Sequence, residues 1–218
     1  MRRVLVAATG VYVAWDNASG NSSSDKNGNN VVLSYSDDGG QTFTAPVSVS
    51  GNFIGNTGGI GADPYVAADG ALHVAWQDYA HGTITDVSST DGGLTFGTRH
   101  TIASVGAFQF FPAAQASRGA LVYPACAAAS AALYCSYTNE PENRMVTYVA
   151  KSTDGGTTWS STQVPGSGDQ FNQWLAVDPS DGSVNVAYYD TGTPGNTATT
   201  YTLARSMDGG ASYKASAS

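Results

Sequence analysis

The chain has 218 residues, of which 41% are hydrophobic and 12% are charged, and it contains 26 glycines. This composition favours a folded all-β protein over a disordered chain. The net charge of −8, with only nine lysines and arginines in scattered positions, argues against a nucleic-acid-binding surface. No apolar run is long enough to predict a transmembrane helix, so we expect no membrane span.

The beginning of the chain allows two interpretations. It starts with Met-Arg-Arg followed by the apolar residues 4–8, as a signal peptide does. However, residues 6–15 parallel residues 66–76, and both segments alternate and end in a tryptophan. We therefore predict that this segment forms the first two strands of a repeated unit, and we identify no signal peptide in the chain.

An eight-residue motif with the pattern Ser-x-Asp-x-Gly-x-Thr/Ser-aromatic occurs four times. Its glycine-rich core between β-prone segments predicts a hairpin turn, in which glycine takes positive φ angles and the polar side chains accept hydrogen bonds from the turn. The closing aromatic residue is expected to pack inward beneath the hairpin. Because the turn satisfies its own polar groups, we assign it a structural role and no catalysis. The fixed positions are Ser36, Asp38 and Gly40; Ser89, Asp91 and Gly93; Ser152, Asp154 and Gly156; and Ser206, Asp208 and Gly210.

The spacing of the motif predicts a β-propeller. The aspartates of successive motifs are 53, 63 and 54 residues apart, a period that fits a four-stranded propeller blade. Each unit is predicted to contain a first strand, a turn, a second strand, a loop, a third strand, the motif and a fourth strand. We predict one all-β propeller domain over residues 1–218, with antiparallel blades at about 1–52, 63–105, 110–165 and 173–218.

The four blade repeats leave three arrangements open. They form a closed four-bladed ring, or part of a larger propeller, or an arc that closes by homo-oligomerisation through its end blades. An unclosed arc exposes an apolar end sheet, which favours association.

The two cysteines, Cys126 and Cys135, flank one predicted hairpin. A disulfide between them is the favoured interpretation, and it predicts an oxidising compartment. The alternative is a pair of small buried thiols. Zinc binding is not expected, because neither cysteine has a partner at the spacing of a zinc site.

A short polar segment resembles part of a metal site. Asp25, Asn27 and Asn29 place oxygen ligands at alternate positions, as at the start of a calcium loop. Ser36 occupies the position where such a loop needs a glutamate, so a polar loop is the favoured interpretation. We expect no cofactor, with a structural calcium ion as the alternative.

The four motifs resemble Asp boxes, also called bacterial neuraminidase repeats, and on them the chain looks like a member of the sialidase-like propeller superfamily. The resemblance covers nearly the whole chain at the level of the blade. It implies a secreted or cell-surface protein whose motifs lie on the face opposite the active site. Function is then expected in the loops between second and third strands and between successive units.

The resemblance does not extend to sialidase catalysis. Sialidases bind the substrate carboxylate with three arginines, the first in an Arg-Ile-Pro-like motif, and use a Tyr–Glu pair and an aspartate in catalysis. This chain has no such motif. Arg205 directly precedes the fourth motif, Arg118 lies near a turn on the same face and Arg99 lies within a peripheral strand. Only Arg144 is suitably placed, so true sialidase activity is disfavoured.

The loops on the presumed functional face combine aromatic and polar residues, which suits sugar recognition. Candidates for carbohydrate binding are Trp15, Asp16, Trp76, Tyr79, Tyr137, Arg144, Trp174 and Tyr189. If the protein is a glycoside hydrolase, the candidates for its acid and base are Asp78, Glu140 and Asp190. The alternative is that the aromatic residues pack between blades and the carboxylates are merely solvated. The propeller is then a non-catalytic structural or protein-interaction module.

Overall fold

The computed structural model describes residues 2–7, 10–17, 30–50, 59–107 and 109–217. Within these ranges the chain forms four antiparallel sheets of four strands, and in each sheet the strands are adjacent in chain order. The part of the chain that the structure describes contains two helices, both single 3-10 turns, at Ala113–Gln115 and Pro141–Asn143. Neither is long and apolar enough to cross a membrane.

The strands divide among the sheets as follows. Sheet one contains β1 (Arg2–Ala7), β2 (Gly10–Asn17), β3 (Asn30–Ser36) and β4 (Val47–Ser48). Sheet two contains β5 (Gly59–Val66), β6 (Leu72–Asp78), β7 (Thr83–Ser89) and β8 (His100–Ser104). A two-stranded ribbon of β9 (Gln109–Phe110) and β10 (Ala120–Leu121) follows. Sheet three contains β11 (Ala125–Ala129), β12 (Ala132–Asn139), β13 (Val146–Ser152) and β14 (Ser160–Gln163). Sheet four contains β15 (Gln170–Val177), β16 (Val184–Asp190), β17 (Thr200–Ser206) and β18 (Lys214–Ala217).

The burial of each strand follows its position in the stack of sheets. β6, in sheet two, is buried at all seven positions because a sheet packs on either side of it. β17, in sheet four, alternates instead, with Thr202, Ala204 and Ser206 buried and the residues between them exposed. Sheet four is therefore covered on one face only.

Three apolar cores join the four sheets, one at each junction of consecutive sheets. The core between sheets one and two includes Leu33, and that between sheets two and three includes Ile84 and Leu133. The core between sheets three and four includes Val149 and Tyr188. The first strands of successive sheets also contact one another. The sheets therefore stack as an arc of blades, in the manner of a β-propeller.

The described strands do not adopt the closed four-bladed ring. Within the described ranges, none of the three cores joins sheet four to sheet one. The outward faces of both end sheets carry exposed apolar side chains, with Val6 at 75% and Leu203 at 42% exposure. The arc therefore has two open ends.

One segment departs from the predicted blade bounds. The prediction assigns residues 110–121 to the third blade, but β9 and β10 pair only with each other. The Gly119 N–H donates to the Gln115 carbonyl at 2.7 Å, which closes the segment on itself. Sheet three consequently begins at Ala125, while sheet four begins at Gln170, before the predicted 173.

The four serine–aspartate turns (residues 36–43, 89–96, 152–159 and 206–213) share one hydrogen-bond pattern. In each, the serine hydroxyl donates to the aspartate at 2.7–2.8 Å and accepts the N–H of the second glycine at 2.8–2.9 Å. The same aspartate accepts the backbone N–H of the seventh residue at 2.9 Å and its hydroxyl at 2.5–2.6 Å. These polar groups are thus satisfied within the turn.

The closing aromatic residue of the motif does not always pack inward, contrary to the prediction. Tyr213 is 9% exposed and belongs to the core shared with sheet three, whereas Phe43 is 46% exposed. The physical reason is that each turn packs on the preceding sheet, as Gly210 does on Tyr134. Sheet one has no preceding sheet among the described residues to cover Phe43.

The turn aspartates should make the stability of the folded state depend on pH in the acidic range. A hydrogen bond from the Thr95 side chain, with others from the Thr95 backbone and Ser89, lowers the pKa of Asp91 from 3.8 to about 2, and the equivalent bonds do so for Asp154. A carboxyl whose pKa is lowered by folding stabilises the folded state above its unfolded pKa, and this stabilisation is lost as the pH falls through its folded pKa. We therefore expect stability to decline between about pH 4 and about pH 2.

This pH dependence can be measured by NMR titration of the side-chain carboxyl carbons. The resonances of Asp91 and Asp154 are expected to inflect near pH 2. Replacing both residues by asparagine should remove part of the decline in stability. Inflections near the unshifted value of 3.8 would contradict the role of the turn hydrogen bonds.

Cys126 and Cys135 form a disulfide between directly opposite positions of β11 and β12, with their Cα atoms 4.1 Å apart. The Cys126 N–H donates to the Asp63 carboxylate of β5 at 2.6 Å. The disulfide therefore lies where the first strands of sheets two and three meet.

Candidate ligand-binding cleft

A cleft of about 460 Å³ lies where the ribbon meets the first strand of sheet four. The ribbon segment contributes Gln109, Gln115 and Arg118, and β15 contributes Asn172 and Trp174. Asn172 lies in the half of β15 that follows the loop from β14, Trp174 lies at the middle of the strand, and Tyr123, which also lines the cleft, lies just before the start of β11. The cleft is therefore at the end of the sheets opposite the four serine–aspartate turns.

A β-bulge in β15 presents Trp174 to the cleft. The register of β15 against β16 shifts between Phe171 and Trp174, and Asn172 within the shift has a φ of 53°. Asparagine tolerates this left-handed conformation better than most residues. A bulge re-aims the side chains around it, and here Phe171 is buried while Trp174 is 51% exposed.

Gln173 anchors the bulge to sheet three. Its Oε1 accepts the Thr138 hydroxyl at 2.8 Å, and its Nε2 donates to the Tyr123 carbonyl at 2.6 Å. The Gln173 side chain is 7% exposed, so these bonds are shielded from water. The anchor joins β15 to the segment that carries Tyr123, so it connects two walls of the cleft.

Tyr123 forms the side of the cleft nearest sheet two. Its ring lies against Gly61, a residue with a φ of 73° at a bulge in β5, where a side chain would collide with the ring. Burial and the negative charge of Asp16 raise the pKa of Tyr123 to about 12, against the opposing effect of Arg118. The hydroxyl is therefore protonated at neutral pH and can donate a hydrogen bond.

The ribbon is held by its own hydrogen bonds. The Gln109 Nε2 donates to the Arg118 carbonyl at 2.5 Å. Gly119 has a φ of 73°, and a side chain there would collide with Gln109. These contacts place Arg118 at the rim of the cleft with an exposed side chain.

One of the predicted binding residues, Trp174, lines this cleft. Asp16 does not line it, but its negative charge contributes to the raised pKa of Tyr123. Asp16 also accepts the Ala62 N–H at 3.3 Å and so connects sheets one and two. The predicted placement of Arg118 on the turn face is wrong, because the ribbon is an insertion between blades that returns to the loop end.

The aromatic residues predicted at the ends of the second strands of sheets two and three are core residues. Trp76 is fully buried, and Tyr137 is 5% exposed with its hydroxyl donating to Ser161 at 3.0 Å. Their proposed role as exposed sugar platforms is therefore wrong. The alternating pattern located both residues on the strand but could not indicate that a neighbouring sheet covers them.

Three further predicted binding residues lie away from the cleft. Tyr189 is 38% exposed on the outward face of sheet four, with its ring stacked on Phe171 at 5.8 Å between centroids. Trp15 is half-buried on β2, and Tyr79 is half-buried just after β6. None of the three lines the cleft.

Two of the three predicted catalytic carboxylates are the last residues of second strands, where loop residues hold them by hydrogen bonds. Asp78 is 5% exposed and pairs with the His81 Nδ1 at 2.8 Å. Asp190 accepts the N–H groups of Gly168 at 3.1 Å and Gly192 at 2.7 Å. Each of these carboxylates is therefore bonded to neighbouring loop residues and has a structural role.

The third carboxylate, Glu140, is exposed in the loop after β12. Partial burial of its carboxyl group and the charge of Asp169 raise its pKa. Nearby, Arg144 donates to the Gly168 carbonyl at 3.1 Å, which connects sheets three and four. Neither Glu140 nor Arg144 lines the cleft, so the structure does not assemble the predicted carboxylate pair there.

The calcium candidates Asp25, Asn27 and Asn29 lie outside the described residues, so a calcium loop stays a prediction. Within the described ranges, no group of three or more histidine, cysteine, aspartate or glutamate side chains is placed to hold a metal ion.

One feature of the sequence, the spacing of the motifs, indicates the cleft residues that no motif contains. The second and third motifs are 63 residues apart, whereas the other intervals are 53 and 54 residues. The excess corresponds to an insertion between two blades, and the ribbon with Gln109, Gln115 and Arg118 is that insertion. Loops inserted between regular elements are common positions for binding residues.

The stacked sheets and the loop-end cleft define a β-propeller fold with a candidate ligand site on the loop face. No protein-family model and no curated protein matches the chain. Among solved structures, the chain is similar to a protein of unknown function from Dyadobacter fermentans, with a TM-score of 0.65 and 16% identity. It is also similar to the Penicillium chrysogenum α-L-arabinanase complexed with arabinobiose, with a TM-score of 0.64 and 16% identity. The Trypanosoma rangeli sialidase with the inhibitor DANA has a TM-score of 0.64 and 14% identity.

These similarities extend over nearly all of this chain but over only part of the other proteins. Each comparison covers 99% of this chain, and the aligned share is 68% of the Dyadobacter protein, 65% of the arabinanase and 37% of the sialidase. At these identities the likeness concerns the fold.

Proposed function

We propose that the protein binds a carbohydrate in the cleft between the ribbon and β15. The observation that carries this proposal is Trp174, a half-exposed indole that a bulge presents beside amide and guanidinium groups. A pyranose ring has an apolar face that can stack on an indole, and hydroxyl groups that can pair with amides. The cleft volume of about 460 Å³ is in the usual range of ligand pockets, about 300–1,000 Å³.

The neighbours in fold support the carbohydrate class. The arabinanase is complexed with arabinobiose, and a polysaccharide lyase with a TM-score of 0.62 is bound to a sulfated disaccharide repeat. The regular hydrogen bonds of the four serine–aspartate turns support the inference that they are Asp boxes. The disulfide between Cys126 and Cys135 supports a secreted or cell-surface location.

We infer binding rather than hydrolysis. Glycoside hydrolysis uses two carboxyl groups that flank the scissile bond. Of the described residues that line the cleft, none is an aspartate or a glutamate. Asp16 acts on the cleft only through its effect on Tyr123, and a single carboxylate does not supply both roles.

Replacing Trp174 by alanine is expected to weaken carbohydrate binding about 30-fold, the equivalent of about 2 kcal/mol for a tryptophan anchor. A glycan array identifies the ligand, and calorimetric titration of that glycan measures the affinity of each variant. The fold should be unchanged because the side chain is 51% exposed.

Phe43→Ala is the matched control. Phe43 is 46% exposed but lies in a turn at the opposite end of the sheets, so its removal should leave the affinity unchanged. If no glycan on the array binds, or if Trp174→Ala binds as tightly as the wild type, the carbohydrate proposal is wrong.

The second candidate function is a non-catalytic interaction module. The observation that favours it is the exposed apolar outer face of each end sheet, which includes Val6 on sheet one and Leu203 on sheet four. In that case the protein binds no glycan, and substitutions at the cleft have no effect on its partner.

A further inference from the structure

Each end sheet of the arc carries an exposed apolar face, although the equivalent face of the inner sheets is covered by a neighbouring sheet. The outer face of sheet four presents Ala187, Tyr189, Tyr201 and Leu203 from β16 and β17. Tyr201 is 50% exposed and Leu203 is 42% exposed. We use the name outer face of sheet four for these four residues.

The outer face of sheet one consists of Val4, Val6, Val11 and Val13, which pair across β1 and β2. Val4 is 65% exposed and Val6 is 75% exposed, while Val11 and Val13 are half-buried. Contiguous exposed apolar surface of this kind is unusual on a monomer and marks an interaction site.

The pairing register shows which positions are equivalent in different sheets. In every sheet one residue of the second strand pairs with the motif serine, and these residues are Val11, Leu72, Leu133 and Val184. Counted from them, Ala187 and Tyr189 of sheet four correspond to Ala75 and Gln77 of sheet two. Both residues of sheet two are 0% exposed, and Ala75 belongs to the core shared with sheet three. Sheet four has no such cover within the described chain.

The outer face of sheet one can be compared in the same way with the face of sheet two that packs on the preceding sheet. Val11 and Val13 correspond to Leu72 and Val74, which belong to the core between sheets one and two and are 1% and 0% exposed. Sheet one therefore keeps the apolar residues of a covered face, although no preceding sheet covers them among the described residues.

We propose that the outer face of sheet four packs on the outer face of sheet one of a second copy, so that two copies close an eight-bladed ring. Each copy carries one face of each kind, so a two-fold axis generates two identical contacts and leaves no open end. Eight blades lie within the range of about four to eight that propellers use. The contact continues the face-to-face packing that already joins the sheets within one chain.

Charge does not oppose this contact. Arg205, also on the outward side of β17, pairs with Asp181 at 2.5 Å. Its charge is therefore compensated within its own chain. Lys214 of β18 lies opposite Arg205 and is exposed, and its long side chain can keep the ammonium group in water at the edge of the contact. A second copy of this chain is the proposed partner because it carries the complementary face. The proposal does not rest on the binding of a carbohydrate.

The test is the mass in solution, measured by light scattering after size-exclusion chromatography. The wild type is expected at twice the 22.4 kDa of one chain. Leu203→Asp and Val6→Asp, one on each face, are each expected at the monomer mass, because a buried unpaired carboxylate is costly. Leu94→Asp is the matched control. Leu94 is 56% exposed in a serine–aspartate turn, so this variant should remain a dimer.

Mixing the two monomeric variants tests the pairing of unlike faces. A heterodimer of Leu203→Asp with Val6→Asp retains one intact contact, so the mixture is expected to regain part of the dimer mass at high concentration. Circular dichroism of each variant checks that it is folded, and Tyr201→Lys provides a second variant on sheet four if Leu203→Asp is not.

Three outcomes would overturn the proposal. The first is a wild type that is folded and monomeric at micromolar concentration. The second is an open series of larger oligomers, which would mean that the arcs do not close with two copies. The third is a dimer that both face variants leave intact, which would place the contact elsewhere.

Discussion

Replacing Trp76 by alanine is expected to lower the free energy of unfolding by about 3–5 kcal/mol, the usual cost of truncating a fully buried aromatic residue to alanine. Trp76 is 0% exposed in the core between sheets one and two. Gly59 leaves just enough room for the indole, because a Cβ at that position would lie 2.9 Å from the Trp76 Cδ1. The surrounding strands are paired on both sides, so we expect them to fill little of the space left by the indole.

The measurement is denaturant unfolding at equal protein concentrations, with Trp174→Ala as the matched control. Trp174 is 51% exposed, so the same substitution there should change the unfolding free energy by no more than about 0.5 kcal/mol. The two substitutions are therefore expected to have opposite effects. Trp76→Ala should lower stability, and Trp174→Ala should weaken ligand binding. A Trp76→Ala protein that keeps its stability and loses glycan binding would instead support the role predicted from the sequence.

Replacing Asp86 by alanine is also expected to cost about 3–5 kcal/mol, because it leaves two buried polar partners without an acceptor. The Asp86 carboxylate pairs with the His73 Nδ1 at 2.8 Å and accepts the Tyr65 hydroxyl at 2.9 Å. All three residues are at most 3% exposed. Burial raises the pKa of Asp86 above its ordinary value, and the hydrogen bonds from His73 and Tyr65 oppose that change.

Because of the position of this cluster, Asp86→Ala should destabilise the junction between two sheets as well as sheet two itself. The Asp86 carboxylate also faces the serine–aspartate turn of sheet three, where a side chain at Gly156 would approach it to 3.0 Å. Loss of Asp86 therefore disturbs the junction of sheets two and three as well as the pairing of β6 with β7.

Two controls separate the cluster from a general effect of removing a carboxylate. Tyr65→Phe removes one hydrogen bond and should cost about 1 kcal/mol. Asp37→Ala removes an exposed carboxylate and should change stability by no more than about 0.5 kcal/mol. Thermal and denaturant unfolding of the three variants gives the comparison. Equal losses for Asp86→Ala and Asp37→Ala would contradict the role assigned to the buried cluster.

Local features of the sequence predicted the strand order and the turns. The motif contains all the groups that its hydrogen bonds use, so its structure can be deduced from eight residues without knowledge of the rest of the chain. The alternation of apolar residues in the second strands likewise locates a strand, because the side chains of a strand point to opposite faces at every second residue.

The candidate site could be predicted only in part. Trp174 was predicted because aromatic residues beside polar ones suit sugar recognition, whereas Asp16, predicted for the same reason, affects the cleft through its charge on Tyr123. Tyr123 and Arg118 were missed because no motif marks them. They come together with Trp174 through the ribbon and through the bond of Gln173 to the Tyr123 carbonyl, and both connect segments about 50 residues apart in the chain.

By itself, the sequence determined the repeated unit, the order of its strands and the polarity of the turns, because these depend on interactions between residues close in the chain. Only the tertiary structure decided which aromatic residues are covered, since exposure depends on whether another sheet packs on a given face. Trp76 and Trp15 occupy equivalent positions in their strands, yet Trp76 is in a core and Trp15 is half-buried on the end sheet. The tertiary structure likewise decided that the arc of described sheets has two open faces, because closure depends on how the sheets stack and not on any one repeat.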